Sequence, residues 1–108
     1  MTQLERVNIE RKLWEILVPA TVDDMQVDLA HHREWDRKIK DIAGGLTILS
    51  TAKSYDSSEF FEHMIPVLIR CTSQQMADIA SLTASHYRQR AIMYYKVSDE
   101  VHITRFSV

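Results

Sequence analysis

Tyr55 and Glu62 are the residues of this chain whose types and spacing best suit ligand chemistry. They flank the turn between two predicted strands, Tyr55 near its tip and Glu62 near the start of the returning strand. Such a hairpin brings a phenol ring and a carboxylate to one end of a sheet, where the ring face and the negative charge can together hold a cation. The alternative is a tyrosine that packs over its loop and a glutamate on a solvated strand edge.

His32 and Asp36 lie one helical turn apart and could share a metal ion. A single pair on a charge-rich helix face is more typical of solvated surface, so we expect no metal site. We expect His31 to lean toward Trp35, and Cys71, which ends an apolar segment, to be buried and not a nucleophile. Three further histidines have no partner that the sequence identifies: His63, His86 and His102.

The apolar periodicity predicts the elements that would position these side chains. Alternating and helical patterns follow one another as strand, helix, strand, strand, helix, strand, with a short fifth strand at the end. A left-handed cap at Gly44 ends the first helix, and a capping box at Thr72 and Gln75 begins the second. The predicted elements are strands at residues 12–18, 46–51, 60–71, 91–97 and 101–106 and helices that begin at about Asp28 and at Thr72.

This order predicts an α+β fold of the ferredoxin-like, split β-α-β type, with an antiparallel sheet and both helices on one face. No linker or repeat divides the chain, so residues 1–108 are expected to form a single domain. Residues 1–8 are expected to form a flexible N-terminal arm.

The first, third and fourth predicted strands are apolar on both faces, although two helices can cover only one face of the sheet. An exposed apolar sheet face is usually an interface, so we expect a homo-oligomer, either a dimer or a trimer. Alternatively, the N-terminal arm or the fifth strand folds across the second face.

Composition narrows the possible partners. A net charge of −2 and a pI near 6.2 give no general attraction to a phosphate backbone, so no nucleic-acid partner is expected. RNA-recognition modules share the predicted topology, but their strand-three motif is glycine-rich and basic, whereas residues 61–66 here read FEHMIP. No apolar run approaches the ~20 residues of a membrane span, and a cytoplasmic protein without membrane attachment is expected.

No glycine-rich phosphate loop, nucleophile elbow or paired-cysteine metal motif occurs in the sequence. We therefore expect no cofactor. These absences remove the enzyme classes that a motif would identify and leave the hairpin residues Tyr55 and Glu62 as the candidate site.

From about residue 28 to 106 the chain resembles the phage S-adenosylmethionine lyases, formerly called hydrolases, and related uncharacterised ferredoxin-like small proteins. The similar stretches are the helix that runs into residues 45–47, the sequence VLIRC at 67–71 and the sequence QRAIMYYK at 89–96. The resemblance implies a trimer that binds its substrate between subunits. It also implies that Tyr55 and Glu62 serve as catalytic or ligand-binding residues.

In such a lyase the carboxylate of S-adenosylmethionine attacks its own γ-carbon and expels methylthioadenosine, which leaves homoserine lactone. The resemblance implies that Glu62 holds the positive charge of the substrate while Tyr55 packs on the sulfonium or hydrogen-bonds the reacting group. Three functions are compatible with the sequence: a protein that binds a small cationic or nucleotide-like ligand at a subunit interface, a lyase-like enzyme, and a structural or protein-interaction module.

Overall fold

The computed structural model of the protein describes residues 11–44, 47–49, 64–102, 104, 106 and 107. This part of the chain has an α+β fold with an antiparallel sheet. Its elements, in chain order, are β1 (Lys12–Pro19), β2 (Thr21–Val22), β3 (Met25–Gln26), α1 (Leu29–Ala43), β4 (Thr47–Leu49), β5 (Met64–Cys71), α2 (Ser73–His86) and β6 (Tyr94–Ser98).

The main sheet has the strand order β4-β5-β1-β6, and each neighbouring pair in it is antiparallel. β1 and β5 form its centre and pair along their full lengths, from Lys12 opposite Cys71 to Pro19 opposite Met64. A separate two-stranded hairpin, β2 and β3, turns through Asp23 and Asp24 with φ values of 53° and 64°. Positive φ at both central residues is the geometry of the tight hairpin turn that asparagine and aspartate tolerate.

One face of the central strands forms the core. Alternate side chains along β1 and β5 point to the same side of the sheet. On that side they form one buried apolar cluster with side chains from both helices. The fully or almost fully buried members are Ile16, Val18, Trp35, Ile39, Ala43, Val67, Ile69, Cys71, Met76, Ile79 and Tyr87.

Both predicted helix caps are confirmed. Gly44 adopts φ 80° and its N–H donates to the carbonyl of Lys40 at 3.0 Å. The Thr72 hydroxyl accepts from the N–H of Gln75 at 3.1 Å, and the Gln75 side chain accepts from the N–H of Thr72 at 2.9 Å. Gln75 also donates to the carbonyl of Ile42 at 3.0 Å, so the start of α2 is tied to the end of α1.

Four of the five predicted strands are found where the sequence placed them, and the fifth is not found among its described residues. The strand predicted at 91–97 is observed at Tyr94–Ser98, and residues 91–93 lead into it. Of the strand predicted at 101–106, the described residues Val101, His102, Thr104 and Phe106 belong to no strand. Alternation in a short apolar run does not require a pairing partner, which is why the pattern overestimated this end of the chain. Residues 1–8, predicted to be a flexible arm, lie outside the described residues.

Trp35 and Thr83 link the two helices through a buried hydrogen bond. The indole Nε1 of Trp35 donates to the hydroxyl of Thr83 at 2.8 Å, and that hydroxyl donates to the carbonyl of Ile79 at 2.6 Å. Trp35 is 2% exposed and Thr83 is fully buried. A buried indole N–H must find an acceptor, so this contact fixes where α1 lies against α2.

Thr83→Val keeps the shape of the side chain and removes the acceptor of Trp35. We expect it to lower the free energy of unfolding by about 1–3 kcal/mol, because the indole N–H is left buried without a partner. Thr104→Val, at an exposed threonine, should change stability by less than about 0.5 kcal/mol. The coupling between the Trp35 and Thr83 side chains is measured by urea denaturation of Thr83→Val, Trp35→Phe and the Trp35→Phe/Thr83→Val double variant. Thr104→Val is denatured in the same way as the control. Strictly additive losses would contradict the role assigned to this bond.

Cys71 lies in the core, as the sequence predicted. It has no exposed surface, its Sγ lies 3.9 Å from the Sδ of Met76, and burial raises the pKa of its thiol to about 11. Its carbonyl accepts from the indole Nε1 of Trp14 at 3.1 Å, which fixes the end of β5 against β1. A protonated and enclosed thiol is a poor nucleophile, so Cys71 serves packing.

Cys71 should therefore react slowly with an aromatic disulfide reagent at pH 8 and rapidly once the chain is unfolded in urea. Cys71→Ser should lower the free energy of unfolding by about 1–3 kcal/mol, because it buries a hydroxyl in an apolar site. Spectrophotometric thiol titration and urea denaturation measure the two effects. Fast and complete modification of the native protein would show that the residue is accessible.

Candidate functional site

Tyr55 and Glu62, the predicted ligand-binding pair, lie outside the described residues, and so does His63.

His32 and Asp36, the pair considered for a metal, have separate partners. The His32 Nδ1 lies 2.7 Å from the Tyr87 hydroxyl, and an Asp36 oxygen lies 3.0 Å from the Lys40 ammonium. Within the described ranges, no three histidine, cysteine or acidic side chains come together in an arrangement that could hold a metal ion.

The polar cluster that the structure does reveal lies where the start of α1 meets the end of α2. His31 and His86 stack with ring centroids 3.8 Å apart and planes inclined by 20°. The His31 Nε2 lies 2.8 Å from the carbonyl oxygen of His86, and the His86 Nε2 lies 2.8 Å from the carbonyl oxygen of His31. We call this reciprocal arrangement the histidine clasp. The expectation that His31 leans toward Trp35 is wrong, because the partner is on the other helix.

The clasp fixes the tautomer of both rings. A carbonyl oxygen only accepts, so the Nε2 of His31 and of His86 must each carry a proton. The Nδ1 of His86 lies 3.3 Å from the ammonium of Lys38, which is a donor, so that nitrogen is the acceptor. Lys38 also lies 3.5 Å from Glu34. His86 therefore fits this site as a neutral ring, and a second proton would displace the lysine contact.

Tyr87 packs against both histidine rings of the clasp. Its ring is 1% exposed, meets His31 edge-on at 5.3 Å and His86 edge-on at 4.9 Å. Burial, and then the charge of Asp36, raise the pKa of Tyr87 well above its usual range, so the hydroxyl that lies 2.7 Å from the His32 Nδ1 stays protonated. A phenol held in this state positions an imidazole but cannot act as a base.

Two histidines of the cluster, His32 and His86, resist protonation. Burial lowers the pKa of His32, and the neighbouring His31 and His86 lower it further. Burial is also the largest cause that lowers the pKa of His86, ahead of the opposing effect of its contact with His31. The surrounding charges act in both directions, since Lys38 lowers this pKa and Glu34 raises it. The lowered pKa values of His32 and His86 favour their neutral forms at this contact between the two helices.

Sequence reasoning missed the cluster because its members are 55 residues apart. His31 and His32 are adjacent on the first turn of α1, and His86 and Tyr87 are adjacent at the end of α2. The sequence does contain a signal that could have suggested the contact. Two adjacent ring-bearing residues lie near the start of α1, and two more lie at the end of α2. Their pairing nevertheless depends on how the helices pack, which spacing alone does not give.

We expect acid to destabilise the protein through this cluster. An unfolded histidine has a pKa near 6.5, whereas the folded pKa values of His32 and His86 are lowered, so the unfolded chain binds more protons between these values. The stabilisation is complete above about pH 6.5 and is lost as the pH falls from there toward the folded pKa values. Urea denaturation at pH 7.5, 6.5 and 5.5 measures the loss.

His86→Gln should reduce this pH dependence, because glutamine can donate to the same carbonyl without titrating. His102→Gln is the matched control. His102 is exposed and lies 3.4 Å from Glu100, away from the clasp. The proposed origin of the acid sensitivity is wrong if both variants retain the parent slope.

Four of the seven exposed large apolar side chains among the described residues lie on β6 or just before it, and the other three are Met25, Leu29 and Phe106. Met93, Tyr94, Tyr95 and Val97 are each between 38% and 48% exposed. The sheet face opposite the helices is better covered than the sequence suggested, since Leu17 is 4% exposed. Exposed apolar side chains are therefore grouped on β6 but are not confined to it.

A buried charge also lies opposite the helices. Arg70 pairs with Leu13 across β1 and β5, and its side chain is 5% exposed. Burial, followed by the charge of Arg11, lowers its pKa, and its Nε has no hydrogen-bond partner among the described residues. A buried N–H without an acceptor is costly, so the Nε of Arg70 is a group of the described residues whose hydrogen bond the structure does not show.

Comparison with protein-family models, with curated proteins and with solved structures gives no match for this chain. No helix in the described part of the chain is long and apolar enough to cross a membrane.

Proposed function

We propose that the protein is the subunit of a small homo-oligomer that binds a cationic or nucleotide-like ligand at a subunit interface. The observation that carries the assembly is the apolar surface of β6, the last strand of the sheet in the described part of the chain, on which Tyr94, Tyr95 and Val97 remain exposed. An exposed apolar edge is a strong candidate for contact with another chain. The cytoplasm is the proposed compartment.

The order β4-β5-β1-β6, with a helix after β1 and another after β5, supports the ferredoxin-like arrangement that the sequence predicted. β4 and β5 are antiparallel neighbours, so the end of β4 at Leu49 and the start of β5 at Met64 lie toward the same end of the sheet. The connection between these two strands carries Tyr55 and Glu62 in the sequence. We place the ligand there because a carboxylate and an aromatic ring can share the recognition of a cation.

A second candidate is a lyase-like enzyme that acts on S-adenosylmethionine, by resemblance of residues 28–106 to the phage lyases. It differs from the first only in the chemical step after binding. The substrate supplies its own nucleophile, so the protein would have to orient the chain and exclude water. A third candidate, a protein-interaction module, requires the apolar edge and no small ligand.

S-adenosylmethionine should raise the melting temperature of the protein, and Glu62→Gln should remove most of that gain. The substitution keeps the shape of the side chain and removes the charge that would meet the sulfonium or ammonium group. Glu59→Gln, the same change three residues away, is the matched control and should retain the shift. A thermal-shift titration with S-adenosylmethionine and with adenosine measures these effects.

Glu62→Gln that binds S-adenosylmethionine as tightly as the parent would reject the site assignment. Absence of any shift with either compound would favour the interaction module. Incubation with S-adenosylmethionine and then chromatography for methylthioadenosine distinguishes the enzyme from the binding protein, because stabilisation without product supports binding alone.

A further inference from the structure

Arg70 is a buried cation near the end of β5. It lies opposite Leu13 in the ladder with β1 and is 5% exposed. Its Nε has no hydrogen-bond partner among the described residues, and no described carboxylate forms an ion pair with it. Buried polar groups in folded proteins are nearly always hydrogen-bonded. The Nε of Arg70 is therefore a donor that an incoming acceptor would satisfy.

Arg11 brings a second guanidinium to this end of the sheet. It immediately precedes β1, and because Leu13 lies opposite Arg70, continuing the ladder makes Arg11 the diagonal neighbour of Arg70, with Cα atoms about 8 Å apart. A Cβ at Gly44 would lie 3.5 Å from the Nη2 of Arg11, so this guanidinium is at the carboxyl end of α1. The dipole of α1 favours a cation at that end.

The two arginines are close enough to affect each other. Burial is the largest cause that lowers the pKa of Arg70, and the positive charge of Arg11 lowers it further. Arg11, like Arg70, forms no ion pair with a described carboxylate. An anion that contacted both guanidinium groups would be attracted by both charges and would offset their repulsion. We call the region formed by Arg11, Gly44 and Arg70 the arginine corner.

The start of α2 adds positive potential near the arginine corner. Thr72, the N-cap of α2, follows Arg70 by two residues, and the first turn of this helix contains no acidic residue. The Gln75 side chain donates to the carbonyl of Ile42 at 3.0 Å, which holds the start of α2 beside the end of α1. The N-terminal end of a helix carries partial positive charge and favours a nearby anion.

We propose that the arginine corner binds a phosphate group, to which Arg70 and Arg11 donate hydrogen bonds. Two guanidinium groups carry two positive charges, and a phosphate monoester carries a charge of about −1.5 to −2 near neutral pH. A carboxylate would compensate one of the two charges. The planar fork of a guanidinium can also donate two parallel hydrogen bonds to neighbouring phosphate oxygens. This inference goes beyond the proposed function and does not depend on it.

Inorganic phosphate is the probe for this site. Isothermal titration calorimetry should show binding to the parent protein at pH 7.5, and Arg11→Gln should raise the dissociation constant about 10- to 100-fold, because one charge-assisted contact is lost. Arg90→Gln is the matched control, since Arg90 is exposed, and it should bind phosphate like the parent. Equal binding by the parent and Arg11→Gln would overturn the proposal, as would no binding by the parent.

Arg70→Met tests the buried member of the pair, because methionine keeps a long unbranched side chain without the charge. In buffer without phosphate, this variant should melt no lower than the parent, since it removes a buried charge that has no counter-ion. Phosphate should raise the melting temperature of the parent in a concentration-dependent way and leave that of Arg70→Met unchanged. Circular dichroism verifies folding, and if Arg70→Met does not fold, the Arg11→Gln comparison decides.

The opposite result would identify a different partner for Arg70. If Arg70→Met melts well below the parent and phosphate shifts neither protein, Arg70 is paired with a carboxylate of its own chain and the proposal is wrong. Sodium chloride, sulfate and acetate at the same ionic strength distinguish the ligand class. Sulfate should act like phosphate because it is also a tetrahedral dianion, and acetate as effective as phosphate would overturn the assignment to phosphate.

Glu62→Gln separates this inference from the proposed function. Arg70 lies about 20 Å along β5 from Met64, the residue at which the strand begins. Glu62→Gln should therefore bind inorganic phosphate as the parent does, and loss of that binding would overturn the arginine corner. A protein that binds phosphate through Arg11 but gives no thermal shift with S-adenosylmethionine would reject the ligand of the proposed function and leave the arginine corner supported.

Discussion

The structure depends on the burial of Trp35 between the two helices and the central strands. The indole is large, almost fully enclosed and polar at one point, and the hydroxyl of Thr83 satisfies that point. Apolar packing alone would allow α1 to slide or rotate against α2, because dispersion contacts have little direction. A single buried donor that must meet a single acceptor selects one arrangement.

The histidine clasp depends on that arrangement. Once Trp35 meets Thr83, the first turn of α1 lies beside the last turn of α2, and His31 reaches the backbone of His86 while His86 reaches that of His31. The stacked rings of His31 and His86 contact Tyr87, which belongs to the buried core. Because burial lowers the pKa of His86 and His32, this contact is a neutral one and depends on pH.

β6 differs from the central strands in how much of its surface is covered. β1 and β5 are central and paired on both sides over part of their length, whereas β6 has one described partner and a largely exposed apolar surface. An exposed apolar strand surface is a candidate for contact with another chain. The proposed assembly and the contact between the helices would therefore use different parts of the fold.

The sequence by itself determined the α+β class, the approximate positions of both helices, the two caps and the burial of Cys71. Each of these depends on neighbours within a few residues, such as Thr72 and Gln75, or on apolar periodicity. The ends of β6, the partner of His31 and the enclosure of Tyr87 were decided only by the tertiary structure. Each joins residues far apart in the chain, and local spacing does not encode which helix faces meet or which strand is left at the edge.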